Sequence, residues 1–133
     1  MASQAERFRS ARAAHADETA EDYAEAIADL IAREGSARVT ALAACLGVSH
    51  VTVIRALARL SRGGLVVVMP YKGVALTRAG RALAARAKHR HGVVLAFLRA
   101  LGVPARVAET DAEGLEHHVS PATLRAMERF VKR

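Results

Sequence analysis

The chain has 133 residues, enough for one compact unit or two small subdomains sharing a core, and 52% of them are hydrophobic. No apolar run approaches the roughly 20 residues of a membrane span, the N-terminus with Glu6, Arg7, Arg9 and Arg12 lacks the apolar core of a signal peptide, and one cysteine excludes a disulfide framework and fits a reducing cytoplasm. The formal net charge is +7 and unevenly spread: residues 35–108 hold twelve Lys/Arg and no Asp or Glu, while eleven of the thirteen acids fall in 17–34 and 109–116.

A contiguous zone without acids is what a polyanion-binding surface needs, because nothing on it repels phosphate. The two acidic segments then read as a site set apart from that surface. Much of the apolar content is alanine, which favours helix over deep aromatic packing.

In chain order, residues 1–18 show no clear apolar period and read as an N-terminal arm or frayed helix, with His15 given no specific role. Thr19 is placed to cap a helix reaching about Glu34 and stopped by Gly35. Its apolar stripe is Tyr23, Ile27, Leu30 and Ile31, and Asp22, Glu25 and Asp29 form an acidic stripe beside it. Thr40 is expected to cap a short helix carrying Leu42 and Leu46, within which Cys45 reads as a small core residue. Gly47 supplies a turn, and Ser49 caps a further helix to about Arg62. In that helix Val53, Leu57 and Leu60 face inward, and Thr52, Arg55 and Arg59 share an outward stripe. Caps, turn and periodicity agree on a helix-turn-helix.

Leu65 to Met69 and Val74 to Leu76 are β-prone runs around the turn Pro70-Tyr71-Lys72-Gly73, which adds a wing. Thr77 caps a long helix to about Leu101, with Phe97, Leu98 and Leu101 at its apolar end. Gly102-Val103-Pro104 breaks it, and a short helix to about Thr110 is expected next. Ser120-Pro121 opens a last helix carrying Leu124, Met127 and Val131.

Two sets of side chains carry chemistry. Ser49, His50, Val51, Thr52 and Arg55 occupy the first two turns of the second helix of the motif, the part that reaches base edges in a major groove. Arg55 suits guanine and Val51 a thymine methyl. Arg59 continues the outward stripe, and Tyr71 and Lys72 at the wing tip suit phosphate or the minor groove. The plainer alternative leaves His50 and Thr52 in solvent.

The second set is Asp111-Ala112-Glu113-Gly114-Leu115-Glu116-His117-His118, three carboxylates and two imidazoles in eight residues. Glu113, Glu116 and His117 share one helical face by spacing, and their oxygen and imidazole donors suit a hard divalent cation such as Mn²⁺. A solvated acidic helix start is the alternative. His89 and His91 diverge by about 200° on a helix and do not share one metal. No zinc-peptidase motif, nucleophile elbow or phosphate-cradling glycine loop is present, so the chain does not read as an enzyme.

A winged helix-turn-helix followed by Arg90-His91 and Asp-x-Glu-Gly-x-Glu-His-His resembles the manganese transport regulators, a branch of the diphtheria-toxin-repressor family of metal-dependent transcription repressors. The likeness also rests on Glu21-Asp22-Tyr23-Ala24-Glu25, Gly73-Val74-Ala75-Leu76-Thr77 and Asp111 to Ser120.

The resemblance implies a mostly α fold, with a winged helix-turn-helix DNA-binding domain over 19–80 and a helical dimerisation and metal-binding domain over 81–133. It implies a cytoplasmic homodimer on palindromic double-stranded operator DNA, with no membrane partner. It further implies two Mn²⁺ per subunit held by Asp22, Glu25, His91, Glu113, Glu116 and His117, with Glu25, Glu113 and Glu116 bridging and His118 not a ligand. Asp22 stands where iron-responsive relatives place methionine, which favours manganese by ligand hardness. The chain shows no third, SH3-like domain, in keeping with that branch, and residues 1–20 extend beyond its shortest members. Gly92, directly after His91, departs from the expectation of an uninterrupted helix former. Three other readings are an Fe²⁺- or organic-ligand-responsive winged-helix regulator, a dinuclear metalloenzyme, and a metal-independent architectural DNA binder.

Overall fold

The computed structural model describes residues 2–133, and of residues 13–16 the backbone only, so the expectation for the His15 side chain lies outside the described residues. The elements are α1 (Gln4–Glu34), α2 (Val39–Leu46), α3 (His50–Arg62), β1 (Val66–Met69), β2 (Gly73–Leu76), α4 (Arg78–Ala100), α5 (Ala105–Leu115), a 3-10 turn (Glu116–His118) and α6 (Pro121–Val131). They form two compact units. One is Thr19–Ala85, and the other is Arg86–Arg133 together with the residues up to Glu18. The two boundaries fall inside α1 and α4.

Helix α1 begins at Gln4, sixteen residues before the first helical position that a Thr19 cap implies, so Thr19 lies inside the helix, and the N-terminal residues from Gln4 take the helical alternative of their reading. No Gly or Pro interrupts residues 2–34. Ser3 and Glu6 close a reciprocal capping box, Glu6 N–H donating to Ser3 Oγ at 3.1 Å and Ser3 N–H to Glu6 Oε2 at 2.6 Å. With good helix formers and a satisfied end, nothing stops the helix from extending. Tyr23, Ile27 and Leu30 are buried as the period requires, whereas Ile31 sits at the edge, 36% exposed.

In the Thr19–Ala85 unit, α1, α2, α3, the hairpin and the start of α4 enclose Ile27, Leu30, Leu42, Val53, Leu57, Val66, Val74 and Leu76. Helix α2 starts one residue before Thr40. Arg38 occupies its N-cap with no side-chain cap bond, so Thr40 lies inside the first turn. Cys45 is exposed, with Arg33 Nη2 3.9 Å from its sulfur, and not in the core. On a helix of eight residues Leu42 and Ala43 take the inward face, and position 45 falls outside it. Gly47 turns the chain in the left-handed region. Ser49 Oγ then accepts the Thr52 N–H at 3.1 Å and starts α3. Val53, Ala56, Leu57 and Leu60 are buried there and Thr52, Arg55 and Arg59 exposed, as the spacing predicts.

The wing is an antiparallel pair with Val66 opposite Leu76 and Met69 opposite Gly73. Gly73 has φ +98°, and a Cβ there would lie 2.5 Å from the Ala37 carbonyl oxygen, so only glycine fits. That same oxygen accepts the Val74 N–H at 2.8 Å. Arg38 Nη1 donates to the Tyr71 carbonyl at 3.1 Å, tying the wing turn to the start of α2. Thr77 caps α4, accepting from Gly80 N–H at 3.1 Å and donating to Gly64 O at 2.6 Å.

In the other unit, Val94 and Leu98 of α4 pack with Ala108 and Ala112 of α5, joined by Phe97, Val119, Leu124 and Met127. Phe97 and Phe130 meet edge to face at 5.4 Å between ring centres. Ser120 caps α6 through the Thr123 N–H at 3.2 Å, with Pro121 at the first position. Leu101, expected at the apolar end of α4, is 55% exposed. Among the described residues, no single helix is long and apolar enough to cross a membrane.

Candidate metal centre

Helix α5 does not stop near Thr110 as expected. It runs through Gly114 to Leu115 and tightens into the 3-10 turn Glu116–His118. Ala108 and Ala112 anchor its inner face, completely buried. Glu109 and Glu113 therefore stand one turn apart beside that face, with Glu116 following at the tightened end. On α4, His91 lies three and seven residues before Val94 and Leu98, on the stripe that faces α5. Two ordinary amphipathic patterns thus bring an imidazole against a row of carboxylates.

A ring nitrogen of His91 and one carboxylate oxygen from each of Glu113 and Glu116 fall within 4.8 Å of one another. His91 Nδ1 makes a very short hydrogen bond to Glu116 Oε2 and stands 3.8 Å from Glu113 Oε1. Its other nitrogen, Nε2, is 3.3 Å from Glu109 Oε2. Glu116 is only 1% exposed. Its second oxygen, Oε1, lies 3.4 Å from Nε2 of His117, whose side chain is buried too. A single carboxylate therefore presents one oxygen to each of two imidazoles. Arg90 Nη1 reaches the Glu116 carbonyl at 3.4 Å, which steadies the turn.

Burial pushes the Glu116 carboxyl up to about 7, further raised by Glu113 and opposed by the His91 bond and charge and by His117. Burial alone lowers His91, but its hydrogen bond to Glu116, the charges of Glu116 and Glu113 and the Glu109 bond outweigh it, and its net shift is upward. A buried carboxylate this reluctant to ionise, flanked by further carboxylates and by imidazoles, lacks positive charge. The oxygen and nitrogen donors fit a hard or borderline divalent cation, and among them no thiolate favours a soft one.

Of the six expected ligands, His91, Glu113, Glu116 and His117 come together in this unit. Asp22 and Glu25 are half-buried on α1 in the other, one turn apart on a common face. His118 turns outward, 57% exposed and 3.7 Å from Glu18. His89 and His91 diverge as expected, His89 pairing with Glu128 at 2.8 Å. Sequence reasoning missed Glu109. Its spacing of four from Glu113 is the available signal, lost when the helix was ended at Thr110.

In the winged unit, Ser49, His50, Val51, Thr52, Arg55 and Arg59 all lie exposed on or before α3, and Tyr71 and Lys72 are exposed at the wing tip. Tyr71 adopts φ +65° and is 95% exposed. Ser49 and Thr52 are engaged with each other, their hydroxyls 3.0 Å apart. Ile54, not singled out from the sequence, is 57% exposed one turn after Val51. Val51 and Ile54 thus form an apolar pair open to solvent on α3.

Known proteins match these two units in order. Residues 15–74 match the model for the iron dependent repressor N-terminal DNA binding domain, and residues 77–133 its metal binding and dimerisation domain. The chain is 47% identical over 128 residues to the transcriptional regulator MntR of Escherichia coli O6:H1, covering 96% of this chain and 83% of that one. It is 36% identical over 100 residues to the HTH-type transcriptional regulator MntR of Bacillus subtilis, covering 75% and 70%. Among solved structures, the manganese regulator SloR matches with TM-score 0.76 and 26% identity, over 85% of this chain and 53% of SloR. A manganese-dependent transcriptional repressor in complex with manganese matches with TM-score 0.73 and 31% identity, over 85% and 52%. The chain spans about half the length of those two solved proteins. It belongs to the iron-dependent (diphtheria-toxin) repressor family of metal-responsive, DNA-binding transcriptional regulators, and it is not an enzyme.

Proposed function

We propose that the chain is a Mn²⁺-responsive repressor of manganese homeostasis genes, acting in the cytoplasm as a homodimer on operator DNA. The observation that carries this reading is the convergence of His91, Glu113 and Glu116 within 4.8 Å, in a chain 47% identical to a protein named MntR. Hard oxygen donors with imidazole favour Mn²⁺ over thiol-seeking metals.

The residues that would hold the metal are Asp22, Glu25, His91, Glu113, Glu116 and His117. A second cation per subunit would find donors too, because Glu116 offers one oxygen toward His91 and the other toward His117. A bound cation supplies the positive charge that the crowded carboxylates lack. Glu116, held in its tight turn by Arg90, keeps the C-terminal donors in place. Asp22 and Glu25, one turn apart on α1, are the remaining members of the set that the family resemblance implies. Filling the set then favours conformers whose recognition helices fit two half-sites on successive turns of DNA. The coupling is reciprocal, and operator DNA tightens metal binding by the same factor.

On the DNA side, Ser49, His50, Val51, Thr52, Arg55 and Arg59 face the major groove, and Tyr71 and Lys72 the backbone beside it. The test is a titration of a promoter fragment in Mn²⁺, Fe²⁺, Zn²⁺ or chelator. Tight binding in Mn²⁺ and weak binding in chelator are expected. Equal affinity in both would sink the switch, and a response to Fe²⁺ at lower concentration than to Mn²⁺ would reassign the metal.

A further inference from the structure

His91 is held from both sides. Nδ1 faces Glu116 and Glu113, and Nε2 faces Glu109 Oε2 at 3.3 Å. An imidazole offers a metal one nitrogen, and the hydrogen bond made by the other decides which nitrogen that is and how the ring is turned. Glu109 precedes Glu113 by four residues on α5, so one helical face supplies both the carboxylate beside Nδ1 and the one beside Nε2. Its side chain is 59% exposed, and it is not among His91, Glu113 and Glu116, the three residues whose donor atoms gather within 4.8 Å.

We propose that Glu109 is a positioning residue for the metal centre: it takes the Nε2–H of His91, fixing the ring so that Nδ1 points at the carboxylates of Glu113 and Glu116. This inference rests on the reading of His91 as a metal ligand. On metal binding, the proton on Nδ1 leaves to solvent, and the proton on Nε2 stays with the ring, shared with Glu109. Carboxylate acceptance also makes the ring a stronger donor.

The test compares wild type, E109A and E109Q, the last retaining a side-chain oxygen that accepts the Nε2–H. Calorimetric titration with Mn²⁺ is expected to show E109A weaker than wild type by about 10- to 100-fold. E109Q should recover most of the loss. Nitrogen-15 NMR of protein loaded with the diamagnetic ion Cd²⁺ should show a slowly exchanging His91 Nε2–H in wild type and E109Q, and a fast-exchanging or absent one in E109A. If E109A binds Mn²⁺ as wild type does and keeps the ring signal, Glu109 does not position His91. If E109Q is as weak as E109A, the carboxylate is a direct ligand and the positioning role is overturned. Wild-type protein that binds neither ion would overturn the metal-site reading itself, a result separable from either of these. Because position 109 is exposed, the metal-free thermal midpoints of all three proteins are expected to lie close together at pH 8, where the contribution of a charged His91 is smallest.

Discussion

At the scale of single residues, Glu116 is the most informative side chain. Its burial sets a sign for the pH dependence of the metal-free protein. The group titrates near 4.5 when exposed and near 7 when folded, so between those values the folded state binds the extra proton. Stability contributed in this way is present at low pH and is lost as pH rises toward 7. His91, raised above 6.5, works in the same direction, its contribution present below that value and lost as pH climbs through the folded one. The thermal midpoint of metal-free protein, followed by circular dichroism, is therefore expected to fall from pH 5 to pH 8, and Mn²⁺ should raise it most at pH 8. Glu116→Gln should flatten the metal-free profile and lower Mn²⁺ affinity by about 100-fold or more, on the scale of a lost ligand and its surroundings. A wild-type midpoint that rises toward pH 8 in chelator would refute the account of Glu116.

At the scale of elements, most of the winged unit was legible from local rules. Ser49 and Thr77 cap helices where their position before an apolar period placed them, and the two strands lie within one residue of the expected runs. The failures were at ends and edges. Ser3 and Glu6 form a capping box, and although the residues after it carry no clear apolar stripe, alanine-rich sequence needs none to stay helical. Periodicity points Cys45 and Ile31 inward, but it fixes a direction only to within a turn and not which neighbour covers the edge of a stripe. The glycine of the wing has a reason that lies elsewhere in the chain, at Ala37. Gly73→Ala is expected to cost about 1–3 kcal/mol from its backbone conformation alone, with a further loss as the Val74–Ala37 bond gives way. Urea unfolding would measure it. A change within about 0.5 kcal/mol, the range of an ordinary surface substitution, would mean the wing shifts freely away from that carbonyl.

At the scale of the whole molecule, the distribution of charge separates two tasks. The stretch from 35 to 108 is free of acids and carries the recognition helix and wing, while the acids gather at 17–34 and 109–116. Different contacts should then respond differently to salt. Lys72→Ala is expected to weaken binding to all sequences alike and to reduce the slope of log affinity against log salt by about 1, as for one lost phosphate contact. Arg55→Ala should leave non-specific binding nearer to wild type and lose about 1–3 kcal/mol of discrimination at one base pair. Competition binding of an operator fragment against mixed-sequence DNA at several salt concentrations separates the two. If both variants lose affinity uniformly, Arg55 touches phosphate and not a base.

The sequence by itself determined the class of fold, the helix-turn-helix with its wing and the types of donor in the carboxylate–imidazole cluster, because caps, turns, periodicity and ligand hardness are local properties. It also carried the family likeness, through Asp22 and Glu25, His91, and the run from Asp111 to Ser120. What the tertiary structure decided is how those donors differ from one another. Glu113 and Glu116 are the same residue three positions apart, yet one is 67% exposed and the other sealed between two imidazoles with its carboxyl near 7. The extension of α5 through Gly114 and the tightening at Glu116 produce that difference, and with it the approach of Glu109 to His91. Desolvation and carboxylate–imidazole pairing depend on what packs around a side chain, and packing arises only when distant segments meet.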